Sequence, residues 1–197
     1  MEIISKSLFW VANALLIPDI IILLALFARS LVLLGSFYGQ MMLKRRNDAL
    51  FQSRIKSLSV ENIEELKSLL PNGDNSLFIK YLRDLLTSAP SEAYAEYLLS
   101  SLENEADKDL SLSKILAKMG PVLGLIGTLI AMSPALVGLS TGDISGMAYN
   151  MQVVFATTVI GLVISAIGLV TLQFKQRWYA KDLYALEYVS RIINHTQ

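Results

Sequence analysis

Three blocks of apolar residues punctuate the chain: 8–43, 119–140 and 147–174. A helix rises about 1.5 Å per residue and a hydrocarbon core is about 30 Å thick, so roughly 20 apolar residues suffice to cross it. The second and third blocks fit one crossing each. The first would be roughly 54 Å long as a single helix, so it must break or tilt. Pro18-Asp19 supplies a break, because proline removes a helix hydrogen bond and Asp19 can cap the helix that follows. The pattern therefore predicts an interfacial amphipathic helix over 1–18, carrying Lys6, Phe9, Trp10 and Asn13, and a first span over 19–43. A signal peptide is the competing reading, with Ala12-Asn13-Ala14 resembling a cleavage site. The apolar run continues straight through it, which argues against cleavage.

Between the first two spans, residues 44–118 change character, with charges of both signs and helical patterns such as VENIEELKSLL and SLFIKYLRDLLTS. Pro71-Asn72-Gly73-Asp74 and Ala89-Pro90-Ser91 are turn chemistry, and Ser91 can cap a last helix that enters the membrane. The expected order is a helical domain over 44–118, a second span over 119–140, a loop over 141–146, a third span over 147–174 and a C-terminal helix over 175–197. The fold class is thus an all-α integral membrane protein with three transmembrane helices, an N-terminal interfacial helix and long helices extending into a cytoplasmic helical domain. Lys44, Arg45 and Arg46 follow span one, Lys114 and Lys118 precede span two, and Lys175, Arg177 and Lys181 follow span three. The short loop carries only Asp143. The positive-inside rule then places the large domain and the C-terminus in the cytoplasm and the N-terminus outside, across the cell's inner membrane.

Composition narrows the chemistry. The chain is 53% hydrophobic, with a mean hydropathy of +0.49. Seventeen basic residues balance seventeen acidic ones, so there is no net field to draw nucleic acid. Without cysteine, thiol catalysis, disulfides and thiolate metal sites are excluded. The single histidine, His195, is expected in a solvated tail. No nucleophile with a base, metal cluster or phosphate loop is visible, so an enzyme, a resident cofactor and a metal site are not expected.

Within the spans, small residues recur at helical spacing. Gly120, Gly124 and Thr128 fall four apart, as do Gly127, Ala131 and Ala135, and span three repeats the device with Thr157, Gly161 and Ser165, followed by Gly168. Spacing of four keeps residues on one face, where small side chains admit another backbone; plain helix packing is the commonest reason for such stripes. The hydroxyls of Thr128, Thr157, Thr158 and Ser165 can bond back to their own helix. Lined up at a helix junction they can instead hold water or pass a cation. Arg29 inside span one and Asp19 at its outer end are intramembrane ionisable groups, functional candidates by default, although Arg29 also suits snorkelling. Between Met119 and Phe174 there is no carboxylate, histidine or lysine except Asp143 in the loop, so a group that binds a moving proton is expected from another chain.

The stretch KMGPVLGLIGTLIAMSPALVGL, a short loop and VVFATTVIGLVISAIG together resemble the MotA/TolQ/ExbB proton-channel family, especially its ExbB and TolQ branches. The family's Pro-x-x-Gly-Leu-x-Gly-Thr core stands here as Pro121, Gly124, Leu125, Gly127 and Thr128. Its Ala-Thr-x-x-Gly-Leu core is matched by Thr158, Gly161 and Leu162, preceded by Thr157. The resemblance implies a homopentamer whose second and third spans line a pore in the bilayer, around a dimeric single-span partner of the ExbD/TolR/MotB kind that brings an intramembrane aspartate. It implies an ion path past Thr128 and Thr158, to which the hydroxyls of Thr157 and Ser165 are added as candidates from the span pattern, with Pro121, Gly124, Gly127 and Gly161 packing around the pore. Ion flow would be coupled to mechanical or energy-transducing work. Many ExbB-type members carry a glutamate about five residues before the third-span threonine; here that position is Val153, beside Gln152. Proton and sodium both remain open. The alternative of another class is a non-conducting membrane scaffold that orders partner proteins.

Overall fold

The computed structural model describes residues 2–56, 76–88 and 91–194. Four helices account for nearly all of them: α1 (Glu2–Lys56), α2 (Leu77–Ser88), α3 (Glu92–Thr141) and α4 (Ile144–Asn194). No strand occurs among the described residues. Stretches long and apolar enough to cross a membrane lie at Lys6–Lys44 in α1, Glu92–Thr141 in α3 and Ile144–Ile193 in α4. The protein is an all-α, multi-pass membrane protein. The helical pattern over 60–70, the turns at Pro71-Asn72-Gly73-Asp74 and Ala89-Pro90, and His195 lie outside the described residues.

One expected boundary is absent. α1 runs without interruption through Pro18 and Asp19, and α3 likewise contains Pro121 and Pro134. Asp19 is therefore a mid-helix residue and not a helix cap. The physical reason is the solvent. A proline costs one backbone bond, whereas ending a helix inside an apolar phase would orphan several N–H and C=O groups at once.

The hairpin between α3 and α4 is tighter than the expected loop over 141–146, because only Gly142 and Asp143 lie outside the helices. Gly142 has φ +78°, a conformation that side-chain-bearing residues rarely adopt. The Asp143 amide donates to the Gly138 carbonyl at 2.8 Å and the Gly142 amide to that of Leu139 at 3.3 Å. These two bonds make a Schellman motif, which satisfies the last carbonyls of α3. Asp143 then caps α4, accepting from the Gly146 amide at 2.9 Å. At the start of α3 the Ser91 carbonyl accepts from the amides of Tyr94 and Ala95 at 2.9 and 3.0 Å, as expected of a residue at the N-cap.

The chain divides into two compact units. The first comprises Met1–Ser36 and Leu112–Leu172. Its core gathers Leu23 and Leu33 of α1, Leu116 and Leu123 of α3, and Ile164 of α4. Large apolar residues such as Leu24, Val32, Leu129, Leu136, Val159 and Leu162 remain on its surface, as they should where lipid is the solvent.

The second unit comprises Phe37–Ser111 and Gln173–Gln197. Its core packs Phe78, Ile79, Leu82 and Leu85 of α2 against Leu98 and Leu102 of α3 and Leu186 and Val189 of α4. Burying each of the larger of these side chains contributes about 1.5–3 kcal/mol. The C-terminal part of α4 is thus built into the core of this unit, which a reading along the chain assigned to residues 44–118 alone. Two of the basic residues that flank the apolar blocks are spent on pairing here. Lys44 contacts Asp182 at 2.6 Å and Lys175 contacts Asp109 at 2.8 Å. The Tyr179 hydroxyl donates to the same Asp109 oxygen at 2.7 Å. Trp178 stacks on Phe37, with ring centroids 5.3 Å apart.

Candidate ion-path site on the α3–α4 hairpin

The glycine stripes meet each other inside one chain. A Cβ on Gly120 would stand 2.6 Å from the Gly161 carbonyl oxygen, and one on Gly161 would stand 2.9 Å from the Gly124 Cα. A Cβ on Gly168 would come 2.5 Å from the Ala117 amide nitrogen. Backbone meets backbone along this seam, so no side chain fits without parting the helices. The second stripe is also covered within the chain, with Ala131 and Ala135 buried. These stripes therefore find packing partners within one chain. Gly120, Gly124, Gly127 and Gly161 first of all close α3 on α4, and the seam they make places the hydroxyls.

Pro121 and Ser165 form part of that seam as a pair. Proline at 121 has no N–H, so the carbonyl of Ala117, four residues earlier, lacks its usual helix donor. The Ser165 hydroxyl crosses from α4 and donates to that oxygen at 2.9 Å. One turn further along, the buried Thr171 hydroxyl lies 3.2 Å from that of Ser113.

The four hydroxyls proposed from the sequence separate into two pairs. Thr157 and Ser165 are buried, at 4% and 7% exposure. Thr128 and Thr158 are partly exposed on the hairpin. Thr128 donates to the Leu125 carbonyl at 2.7 Å and Thr158 to that of Val154 at 3.0 Å. Thr157 shares its proton between the Val153 and Val154 carbonyls at 3.1 and 3.0 Å. In each threonine the proton is committed to its own helix and the oxygen's lone pairs stay available. At Thr128 and Thr158 they are available outward, where a water, a hydrated cation or a protonated carboxyl could donate.

α1 brings a carboxyl to this hairpin that the sequence reading placed at a helix end. Asp19 is 5% exposed, and its Oδ2 would be 2.9 Å from a Cβ added to Gly127. The Thr157 Cβ and Cγ2 would each stand 3.0 Å from the same point. Gly127 is about 20 Å along α3 from the Gly142 turn, so Asp19 reaches well below that end of the hairpin. The sequence did hold a signal for this face. Asp19 and the fully buried Ser30 are eleven residues apart, close to three whole helix turns, and therefore lie on one side of α1. Arg29 is on the exposed side of the helix.

No curated protein and no solved structure matches the chain. A family model, that of the MotA/TolQ/ExbB proton channel family, matches residues 70–187. That range takes in α2, α3 and most of α4, and with them the Pro121–Thr128 core, the Thr157–Leu162 core and the glycine seam between them. Since the match covers more than half of the sequence, the chain belongs to the MotA/TolQ/ExbB proton channel family.

Proposed function

We propose that the protein is the pore-forming subunit of an ion channel that couples a transmembrane ion gradient to work done by a partner. Five copies surround a dimeric single-span partner of the ExbD/TolR/MotB kind, whose intramembrane aspartate carries the ion past Thr128 and Thr158. The N-terminus lies outside and the C-terminus in the cytoplasm of the inner membrane. The observation that carries this reading is the placement of the two motif threonines. They stay at the surface of a hairpin otherwise sealed by backbone contact, with lone pairs free to accept. Thr157 and Ser165, equally polar, are enclosed and serve the packing. Proton is the favoured ion, since a hydroxyl that can only accept suits a protonated carboxyl passing by.

The scaffold reading has one observation in its favour. Every one of these threonine hydroxyls already bonds its own helix, the silent role common to threonine in apolar helices. Flux separates the two. The complex with its partner, in liposomes holding an inward proton gradient and a trapped pH indicator, is expected to acidify the lumen when the potential is clamped. Liposomes that stay tight with an intact complex would leave the scaffold reading standing.

A further inference from the structure

Among the described residues, the two carboxylate oxygens of Asp19 are the buried side-chain polar atoms that have no hydrogen-bond partner. Other buried polar side chains of the same unit are satisfied: Ser30 by the Phe27 carbonyl, Ser165 by that of Ala117, and Thr171 by Ser113 and its own helix. Asp19 is also isolated electrostatically. From α3 it faces Gly127, the point to which Thr157 of α4 also turns its Cβ and methyl. α3 carries no ionisable residue beyond Lys118, and between Asp143 and Lys175 α4 carries only the phenol of Tyr149, about 12 Å along the helix from Thr157. On α1 the nearest charges are Lys6 and Arg29, about 20 and 15 Å away along the helix, both on exposed positions. An ionised carboxylate here would have neither donor nor counter-ion in an apolar packing, which the neutral acid does not require.

We propose that Asp19 is a proton-binding site of this chain itself, holding a neutral carboxyl against Gly127 and Thr157 and exchanging its proton with water when that packing opens. The step is a simple protonation: hydronium gives its proton to the carboxylate and leaves as water when α1 parts from the hairpin, and the acid form is retained when it closes. The site uses α1, α3 and α4 of one chain, and Asp19 lies outside residues 70–187 that the family model matches. It therefore stands independently of the pore and of any partner's carboxylate.

Infrared difference spectroscopy on the full chain alone, in lipid and at neutral pH, tests the site without any measurement of flux. The wild type is expected to show a protonated-carboxyl C=O stretch that is missing in Asp19→Asn and shifts on transfer to D2O. Asp19→Glu should move the band rather than remove it. Gly127→Ala should also move it, since the added methyl would crowd Oδ2. If Asp19→Asn leaves the neutral-pH spectrum unchanged, Asp19 is ionised and the proposal fails. It fails as well if the band never shifts in D2O, which would mark a sealed structural acid, or if sodium abolishes the band at constant pH, which would make this a sodium site. Should Asp19→Asn not assemble, the Asp19→Glu and Gly127→Ala shifts decide, and their absence overturns the proposal.

Discussion

Pro121 shows why a motif residue has to be read together with what answers it across the interface. A proline in an apolar helix leaves one carbonyl without a donor, and Ser165 supplies the missing bond to Ala117. Ser165→Ala should strand that oxygen in an apolar surrounding and cost about 1–3 kcal/mol of stability. Pro121→Ala restores the N–H, so in that background the same serine change should cost far less. Thermal unfolding of the four proteins in mild detergent measures the coupling, and strictly additive losses would show that the two residues do not share this carbonyl. The pairing was not legible in the sequence, because Pro121 and Ser165 are far apart in the chain and nothing in either motif fixes their register. The glycines were legible as close-packing residues, but which backbone they admit was not. Only the fold shows that Gly120 meets Gly161 while Gly35 faces open space.

At the scale of elements, hydrophobic blocks located the three long apolar helices correctly, since twenty apolar residues in a row have few other uses. Their ends were harder. Pro18-Asp19 carries the marks of a boundary, and the helix passes through because an apolar environment penalises unpaired backbone more than one lost bond. The C-terminal helix was read as a separate tail, yet Leu186 and Val189 complete a core with α2 and α3; its partners are too distant in sequence for periodicity to reveal. In that unit, Lys175, at 3% exposure, and Tyr179 converge on Asp109. Burial first, then the hydrogen bond to Asp109 and its charge, raise the Tyr179 phenol above its ordinary 10.0. The unfolded chain therefore ionises this group at lower pH than the folded one. Its contribution is complete below pH 10 and is lost as pH rises toward the folded value. Tyr179→Phe is expected to be about 1–3 kcal/mol less stable at neutral pH, and to lose less than the wild type when pH is raised past 10. Parallel unfolding curves of the two proteins across that alkaline range would contradict the assignment.

For the whole molecule, the division of labour follows from which polar groups each unit satisfies. The membrane-spanning unit closes its seam with backbone contacts and a few crossing hydroxyls, leaving Thr128 and Thr158 part-exposed and Asp19 enclosed. The other unit uses ion pairs and a leucine core of the kind found in water. Family membership was legible because two short motifs recur in the right layout, and the match over residues 70–187 bears it out. The central claim is that Thr128 and Thr158 lie on the ion's path, and replacing each threonine by valine tests it most directly, since the shape is kept and only the hydroxyl is removed. A hydroxyl bonded solely to its own helix is worth about 1 kcal/mol, so the complex should survive either change. The measurement is proton flux into liposomes holding each variant complex with its partner, beside the wild type at equal loading. The account predicts intact complexes whose flux falls at least about tenfold, the effect of raising a barrier by about 1.4 kcal/mol. Wild-type flux from both valine variants, in complexes of unchanged size, would contradict it.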